Sequence, residues 1–374
     1  MRIAVNTRLL LKDKLEGIGW FTLENLKRMT RNHPEHEFIF IFDRPWSEEF
    51  IFSKNVTPVF IGPPARHPFL FYIWFEFQIP RVLKRFKAHL FLSPDGYLSL
   101  RTKVPQLSVI HDISFVHRPK DLPRLAGWYY NYYFPRFARK AKRIATVSNY
   151  SKNDITRSFN IDAGKIDVVY NGVNEGFNPI PAEKQKKIRN KYTEGNAYFL
   201  FVGALHPRKN ISGLLKAFDT FKMQDKTNIK LLIVGGQMHK TGEIFNTLEN
   251  MHFRNDVIFT GRIPTTELHD ILGSALALTF VPFFEGFGIP VVEAMSAGVP
   301  VICSSTTSLP EVGGDAVLYA NPLQIDQITN AMMKISGDPE LRTKLIEKGF
   351  KQKEKFSWDE TSRLLWRSIE KSLK

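Results

Sequence analysis

Cysteine is almost absent from this 374-residue sequence, since Cys303 is its single representative. One thiol excludes an internal disulfide framework and any cysteine-rich zinc site, which favours a reducing compartment. Long hydrophobic runs are also missing, and the apolar stretch in the N-terminal "MRIAVNTRLL" is too short for a signal peptide. We therefore expect a cytoplasmic protein. There is no short-period repeat, no low-complexity tract and no recognisable nucleic-acid-binding motif.

The composition is that of a soluble globular protein, with 43% hydrophobic and 13% aromatic residues, and the length allows two sizeable domains. The net charge of +15 is uneven. Residues 1–175 carry 27 Lys or Arg against 16 Asp or Glu, whereas residues 176–374 carry 25 against 21. A basic first half is compatible with nucleic acid, an anionic membrane surface, an acidic substrate, or solubility alone.

Two sets of short apolar segments predict two parallel sheets. The segments are "RIAVNT", "EFIFIF", "HLFLS", "QLSVI" and "RIATVS" in the first half, and "AYFLFVGA", "IKLLIVGG", "DVIFTG", "ALALTFVP" and "VPVICSS" in the second. Strands without polar alternation are buried on both faces, which is typical of sheets sandwiched by helices. We predict an α/β protein with two doubly wound domains, residues 1–178 and 190–357, and a cleft between them. A helix at about 358–374 is expected to pack back onto the first domain.

The segment "EGFGIPVVEAM", residues 285–295, predicts a strand, a glycine loop and a helix start, because Pro290 suits a first helical turn. The backbone N–H groups of such a turn have no intrahelical partners and bind anions. Glu293 has a simple explanation as a first-turn acid that complements the helix dipole. Glu285 lies before the helix among phenylalanines, where a carboxylate needs a polar partner. A hydroxyl-rich ligand joined to a phosphate would suit both acids and the amides.

Two further glycine turns lie where parallel sheets bind ligands. Gly17 and Gly19 precede a helical pattern that begins near Trp20, and a flexible loop is the simple alternative. In "FVGALHPRKNISGLLKAF" a strand ends at Gly203, and Arg208 and Lys209 follow in the loop. An Arg–Lys pair suits a diphosphate, since Arg forks across two oxygens and Lys adds a point charge. A solvated loop is the alternative.

The aromatic segment "HPFLFYIWFEFQIPRVLKRFKAHLF", residues 67–91, is too short to span a bilayer and contains Glu76. Its favoured interpretation is a buried helix with a basic exposed end. The alternative is a membrane-facing helix whose cations meet acidic lipid head groups. Those cations are Arg81, Lys84, Arg85 and Lys87.

Several motifs together resemble glycosyltransferase family 4. The run "VPFFEGFGIPVVEAMSAGVPVICSSTTSLPEVGGDAVLYANP" is similar to the donor-site signature of that family, including two glutamates separated by seven residues. "VIHDISF", "TVSNYSKNDI", "VVYNGVNEGF", "VGALHPRKN", "LLIVGG" and "VIFTGRIPTTEL" also occur in the family's order. The resemblance implies the GT-B fold, in which two Rossmann-like domains face each other and the second holds most of the donor. One departure is Ala204, where many members have Arg after the glycine.

The resemblance also implies roles for individual residues. Glu285 would hold hydroxyls of the transferred sugar and Glu293 the ribose, while Arg208 and Lys209 would neutralise the diphosphate. The implied donor-binding set is Gly17, Gly19, Gly203, Arg208, Lys209, Arg262, Ile263, Glu285, Gly286, Phe287, Gly288, Ile289 and Glu293, and the implied catalytic set is Glu285, His111, Arg208 and Lys209. In these sets Arg262 and Ile263 border the nucleobase, the Gly17–Gly19 loop closes over the phosphates, and His111 lies by the sugar. A hydrogen-bonded structural histidine is the alternative for His111.

The function implied is transfer of a hexose from a nucleotide sugar with retention of anomeric configuration. GDP-mannose is the favoured donor and a UDP-sugar the next, and the acceptor is a saccharide or lipid-linked saccharide. No cofactor and no metal are expected, because no Asp-x-Asp pair follows a strand and fixed cations can stabilise the leaving diphosphate. A peripheral position on an anionic membrane is a further expectation, and nucleic acid is not an expected partner. A sugar-nucleotide epimerase and a basic nucleic-acid-binding protein remain the alternatives.

Overall fold

The structure is a computed structural model that describes residues 1–238 and 240–374. These residues form two compact units. Unit 1 comprises Met1–Gly172 and Ser357–Lys374, and unit 2 comprises Val173–Phe356. The sequence predicts the corresponding boundaries at 178 and 358.

Unit 1 is built on a seven-stranded sheet. Its strands are β1 (Arg2–Asn6), β2 (Glu37–Phe42), β3 (Val56–Phe60), β4 (Leu90–Ser93), β5 (Gln106–Val109), β6 (Arg143–Thr146) and β7 (Ile166–Val168). They lie in the order β3-β2-β1-β4-β5-β6-β7, and every neighbouring pair is parallel. The interior strands are almost fully buried, as continuous apolar runs require.

Helices surround this sheet. They are α1 (Gly17–Asn32), α2 (Pro68–Ile73), α3 (Ile79–Arg85), α4 (Ser114–His117), α5 (Arg124–Lys140) and α6 (Asn149–Phe159), with a π-helical turn at Trp74–Gln78 and 3-10 turns at Glu48–Phe50, Pro119–Asp121 and Ala163–Lys165. The loops after β1, β4 and β5 end at the carboxyl edge of the sheet, where α/β proteins place their ligands.

Residues 68–85 of the aromatic segment are helical, and most of their apolar side chains lie in the core, as the favoured interpretation of a buried helix expects. Trp74, Phe75 and Ile79 are fully buried, and Phe71 is nearly so. The buried Glu76 carboxylate accepts from the backbone N–H of Leu100 through both oxygens, at 3.0 and 3.1 Å. Most of the apolar part of this segment is therefore core, while Phe69 near its start is 66% exposed. In the described ranges no helix combines the length and apolarity needed to cross a membrane.

Unit 2 contains a six-stranded sheet. Its strands are β8 (Tyr198–Val202), β9 (Lys230–Val234), β10 (Val257–Gly261), β11 (Ala277–Phe280), β12 (Val301–Ser304) and β13 (Leu318–Ala320). The order is β10-β9-β8-β11-β12-β13, again with parallel neighbours. The helices are α7 (Ala182–Thr193), α8 (Ile211–Gln224), α9 (Gly242–Glu249), α10 (Thr265–Gly273), α11 (Ile289–Ser296), α12 (Leu309–Gly313), α13 (Ile325–Gly337) and α14 (Pro339–Lys353), with 3-10 turns at Pro207–Lys209 and Arg254–Asp256.

The last helix, α15 (Trp358–Leu373), belongs to unit 1 and packs on α1. The Thr361 hydroxyl donates to the carbonyl of Tyr170 at 2.6 Å, and the Ser368 hydroxyl donates to Asp167 at 2.9 Å. At Gly172 a Cβ would lie 2.3 Å from the backbone nitrogen of Trp358, so only glycine permits this approach. The chain thus returns to unit 1 after completing unit 2.

The α/β class with two doubly wound parallel sheets is confirmed, and two local predictions are wrong. Three edge strands, β3, β7 and β13, are not predicted from the sequence. Gly17 and Gly19 were expected in a loop before a helix at Trp20, but they form the first turn of α1. A Cβ on Gly19 would meet the Leu9 carbonyl oxygen at 3.0 Å, so this position favours glycine for packing.

Candidate functional site

The candidate site in unit 2 lies where the strand order changes direction, between β8 and β11. Loops that leave neighbouring strands on either side of such a point diverge and open a crevice at the carboxyl edge of the sheet. The loop after β8 carries Arg208 and Lys209, and the loop after β11 carries Glu285. The backbone N–H of Phe283 donates to the Arg208 carbonyl at 2.9 Å and ties the two loops together.

Arg208, Lys209 and Glu285 form one ion cluster. Glu285 Oε2 accepts from Arg208 Nη1 at 3.0 Å and from Lys209 Nζ at 2.6 Å. The three side chains are 21%, 12% and 15% exposed, so the pairs are largely shielded from water. The polar partner that Glu285 needs among its phenylalanines is thus a pair of cations. The site holds two positive groups within reach of one carboxylate, at the mouth of a crevice.

The backbone around the two cations is fixed by side chains. His206 Nδ1 accepts from the N–H of Arg208 at 3.2 Å and caps the 3-10 turn. Asn210 adopts a left-handed conformation with φ of 58°, and its Nδ2 donates to the carbonyls of Val281 and Pro322 at 3.0 and 2.8 Å. Asn210 is therefore a positioning residue. This role is not predicted from the sequence, because both carbonyls belong to residues more than 70 positions away.

The loop before α11 depends on Gly288 and on hydroxyl groups. Gly288 has φ of 105°, and a Cβ there would lie 2.5 Å from the Leu309 side chain. The Ser308 hydroxyl donates to the carbonyls of Glu285 and Phe287 at 2.9 and 3.2 Å, and Thr307 Oγ1 accepts from the N–H of Glu285 at 3.3 Å. Thr307 and Ser308 end a run of five hydroxyl residues, and nothing in that run marks which hydroxyls bond to the loop of Glu285, so the sequence does not predict them.

Glu293 lies in the second turn of α11, so its interpretation as a first-turn acid is wrong. It is 7% exposed and accepts one hydrogen bond, from Asn174 Nδ2 at 3.3 Å. Burial raises the pKa of Glu293 to about 8, although the bond from Asn174 acts in the opposite direction. Glu293 is consequently protonated at neutral pH and can donate as well as accept a hydrogen bond.

The remaining predicted positions of unit 2 lie along the same carboxyl edge. Arg262 and Ile263 follow β10, which is two strands away from β8 in the sheet. Gly203 directly follows β8 and has φ of 150°, and a Cβ on Gly235 would come within 1.9 Å of the Gly203 carbonyl oxygen. The loops after β8 and β9 therefore touch backbone to backbone, and side chains there would separate them.

His111 of unit 1 follows β5 and is held by its surroundings. Its Nε2 lies 2.8 Å from the Pro94 carbonyl, which can only accept, so Nε2 carries the proton. The ring of Phe21 contacts it edge-on, with centroids 4.9 Å apart. Burial lowers the pKa of His111, which keeps the imidazole neutral at neutral pH. Both interpretations of His111 stay open, since a neutral, oriented imidazole serves structure and chemistry alike.

A buried polar network that the sequence analysis missed lies beside His111, where β1 and β4 end. Asp95 accepts from Arg8 Nε at 2.6 Å and from Asn6 Nδ2 at 2.8 Å. The Arg8 guanidinium also stacks over the ring of Tyr97, 4.6 Å from its centroid. Paired charges therefore lie where the strand order of unit 1 changes direction, between β1 and β4. No group of three His, Cys, Asp or Glu within the described ranges could hold a metal ion.

Comparison with known families assigns both halves of the chain. Residues 16–177 match the family model described as "Glycosyltransferase Family 4", and residues 182–352 match "Glycosyl transferases group 1". The O-antigen chain mannosyltransferase B of Escherichia coli is 30% identical over 360 residues, covering 93% of this chain and 94% of that protein. The O-antigen chain mannosyltransferase RfbU of Salmonella typhimurium is 31% identical, covering 58% of this chain and 57% of its own length.

Among solved structures, the Anabaena protein Alr3699/HepE, crystallised in complex with UDP and glucose, is similar along the whole chain. It superposes with a TM-score of 0.76 and covers 99% of each chain at 14% sequence identity. At that identity the similarity concerns the fold. The fold of both units is thus one that is known from experiment.

Proposed function

Because this chain is a glycosyltransferase of the family that joins a family 4 half to a group 1 half, we propose that it transfers mannose from GDP-mannose to a saccharide acceptor, with retention of configuration. The two O-antigen relatives are named as mannosyltransferases, and they support mannose as the sugar. A UDP-sugar is the second candidate donor, because the similar Anabaena structure contains UDP and glucose.

One observation supports the donor site most strongly, namely the ion cluster at the switch point of unit 2. Arg208 and Lys209 lie side by side after β8, next to the amino end of α11. A diphosphate placed there meets two cations and the backbone N–H groups at the amino end of α11, which begins at Ile289. Because Ala204 supplies no charge, Arg208 makes most of the bidentate contact with the diphosphate.

The two glutamates take the hydroxyl groups of the donor. Glu285 accepts hydrogen bonds from hydroxyls of the transferred sugar, because its carboxylate lies beside the phosphate position. Glu293 binds the ribose as a neutral acid, which donates one hydrogen bond and accepts another. Arg262 and Ile263 border the base, and Gly203 lets the backbone approach the phosphates. The roles that the family resemblance implies for Gly17, Gly19 and His111 of unit 1 are part of the same proposal.

The transfer step needs stabilisation of charge at two places. As the sugar carbon separates from the diphosphate oxygen, negative charge grows on the phosphate and positive charge on the sugar ring. Arg208, Lys209 and the α11 amides stabilise the phosphate, while Glu285 stabilises the ring. The acceptor hydroxyl then attacks on the same face, and the leaving phosphate oxygen takes its proton. No metal is required in this scheme, since the positive charge is already fixed.

A thermal-shift series tests the donor. GDP-mannose should raise the unfolding midpoint more than UDP-glucose at equal concentration, since a ligand bound only by the folded state stabilises it by mass action. After mannose has been transferred to a saccharide acceptor, NMR of the product reports the anomeric configuration of the new bond. A larger shift with UDP-glucose contradicts the assignment of GDP-mannose, and an inverted product contradicts retention.

For the acceptor we propose a lipid-linked saccharide on an anionic membrane surface. The observation behind it is the concentration of charge in unit 1, where residues 51–150 carry 16 Lys or Arg against 4 Asp or Glu. Such a surface attracts anionic lipids, each Lys or Arg near it contributing about 1 kcal/mol. No observation favours an epimerase or a nucleic-acid-binding protein over a glycosyltransferase.

A further inference from the structure

The loop between β12 and α12, residues 305–308, carries four hydroxyl side chains in succession, and we call it the hydroxyl loop. Ser304, the last residue of β12, is fully buried, and its hydroxyl accepts from the backbone N–H of Thr306 at 3.3 Å. Because β12 is the neighbour of β11 in the sheet, the hydroxyl loop leaves the same carboxyl edge beside the loop of Glu285.

The backbone of Thr307 in this loop has an unfavourable conformation. Its φ is 60°, in the left-handed region. Among the residues that the structure describes, seven other than glycine have a positive φ, and only Thr307 of these has a branched Cβ. A branched side chain is strained in this region. Such strain persists where the surrounding structure holds it, and it is concentrated at functional sites.

Two hydrogen bonds orient the Thr307 hydroxyl. Its Oγ1 donates to the Thr306 carbonyl at 2.7 Å, which leaves the lone pairs of the oxygen for acceptance. Oγ1 accepts from the backbone N–H of Glu285 at 3.3 Å. The strained residue therefore bonds directly to the backbone of the glutamate that the proposed donor site uses for the sugar.

Arg208 holds the other end of the same peptide group. The carbonyl of Phe284 and the N–H of Glu285 belong to one trans peptide unit, so they point in opposite directions. Arg208 Nη1 donates to the Phe284 carbonyl at 2.9 Å and to Glu285 Oε2 at 3.0 Å. Rotation of this peptide unit is thus opposed from both sides, by Thr307 at the N–H and by Arg208 at the carbonyl.

Ser308 fixes the backbone that follows. Its fully buried hydroxyl donates to the carbonyls of Glu285 and Phe287, at 2.9 and 3.2 Å. The N–H and the carbonyl of Glu285 are therefore bonded to two consecutive hydroxyl residues. These bonds reach the backbone, whereas the carboxylate of Glu285 accepts from Arg208 and Lys209.

We propose that Thr307 and Ser308 are positioning residues for Glu285 and hold its carboxylate in the orientation that meets the transferred sugar. This inference rests on the proposed function, which gives Glu285 that role. A displacement of about 1 Å at a reacting centre can cost roughly 100-fold in rate. The hydroxyl loop thus acts on the transfer step through Glu285.

Three substitutions of Thr307 separate its hydroxyl from its strained backbone. Thr307→Ser keeps the hydroxyl, Thr307→Val removes it and keeps the branched Cβ, and Thr307→Gly removes both. Glycine adopts φ of 60° without strain, so the unfolding midpoint of Thr307→Gly should exceed that of Thr307→Val. Turnover should follow the hydroxyl instead. We expect kcat to fall about ten-fold or more in both variants and to stay within about two-fold of wild type in Thr307→Ser.

A kcat that follows the unfolding midpoint, with Thr307→Gly close to wild type, overturns the proposal. The matched control is Thr329 of α13, which is 2% exposed and whose hydroxyl donates to the Ala217 carbonyl at 3.0 Å. Thr329→Val removes a buried hydroxyl away from the site, so it should lower the midpoint and leave kcat unchanged. An equal loss of kcat in Thr329→Val assigns the effect to stability and also overturns the proposal.

A double-mutant cycle with Glu285→Gln tests whether Thr307 acts through that carboxylate. Residues that act through one another have non-additive effects. In the Glu285→Gln background, Thr307→Val should therefore lower kcat less than about two-fold. Equal factors in the two backgrounds mean that Thr307 acts independently of Glu285, which contradicts a positioning role.

Amide hydrogen exchange tests the hydroxyl loop without any donor. Peptides that cover residues 283–288 should exchange faster in Thr307→Val and in Ser308→Ala than in wild type, because the bonds that hold this backbone are lost. Wild type that transfers from no nucleotide sugar refutes the proposed function, and the exchange experiment still measures the support of Glu285. Faster exchange supports the positioning role, and unchanged exchange in both variants overturns it.

Discussion

Glu293 should make the stability of the protein depend on pH in a direction opposite to that of most carboxylates. Burial raises its pKa from 4.5 to about 8 in the folded state. An acid with a raised pKa contributes stability that is fully present below the unfolded pKa and is lost as the pH rises through the folded pKa. The unfolded chain releases this proton first, so alkaline conditions favour unfolding.

The size of the effect follows from the two pKa values. Between about pH 5 and pH 7 the folded state keeps the proton while the unfolded state loses it, which lowers the free energy of unfolding by roughly 2–3 kcal/mol. Near pH 9 both states are ionised, and the loss levels off at about 4 kcal/mol. Glu293→Gln keeps the shape of the side chain and has no proton to release. The free energy of unfolding of this variant should therefore not show the loss.

Thermal unfolding of wild type and Glu293→Gln across this pH range measures the difference. The difference in unfolding midpoint, variant minus wild type, should increase by roughly 5–10 °C between about pH 5 and pH 7. This follows from a midpoint shift of about 2–4 °C per kcal/mol for a unit of this size. Glu347→Gln, an exposed substitution on α14, is the matched control and should follow wild type. A constant gap between wild type and Glu293→Gln refutes the reasoning and means that Glu293 is ionised in the folded protein.

Three further predictions concern the donor site. Glu285→Gln should keep the fold and nucleotide binding but lose most turnover, and near wild-type kcat would remove Glu285 from the reaction. Arg208→Ala and Lys209→Ala should each weaken donor binding by about 1.5–3 kcal/mol as charge-assisted bonds are lost, whereas the exposed Lys216→Ala should not, and unchanged binding in both variants would place the diphosphate elsewhere. Activity should survive excess EDTA, because the cations are side chains, and loss restored by magnesium would contradict the proposed mechanism.

Most of the strands that could be predicted from the sequence are those that the sheets bury on both faces, and β10, a half-buried edge strand, is the exception. "EFIFIF" and "AYFLFVGA" are apolar throughout because helices cover both sides of β2 and β8. The omitted β3 is an edge strand that contains Pro58, and its residues are mostly half-buried. An edge strand tolerates proline because one of its sides makes no ladder hydrogen bonds. Pro58, which argues against a strand in the sequence, is therefore compatible with an edge position.

The members of the candidate site were predictable one at a time, while their contacts were not. The sequence indicates a basic pair after one strand and a glutamate after another, 76 residues apart for Lys209 and Glu285. These strands are neighbours only because of the strand order in the sheet. There β8 pairs with β11, although β9 and β10 lie between them in the sequence. Asn174 lies 119 residues from Glu293, and no local pattern marks either as the other's partner.

In the proposed donor site, the ion cluster gives a reason for a carboxylate next to the phosphate position. Two adjacent cations repel each other, and Glu285 Oε2 holds both, at 2.6 and 3.0 Å, before any donor arrives. A diphosphate brings its own negative charge and takes over these cations, which releases the carboxylate to accept sugar hydroxyls. GDP alone releases Glu285 without offering it a hydroxyl, and it leaves two anionic groups side by side. Glu285→Gln should therefore narrow the difference in affinity between GDP-mannose and GDP, because the repulsion and the sugar contact disappear together. A calorimetric titration measures both ligands, and an unchanged difference would show that Glu285 does not exchange partners.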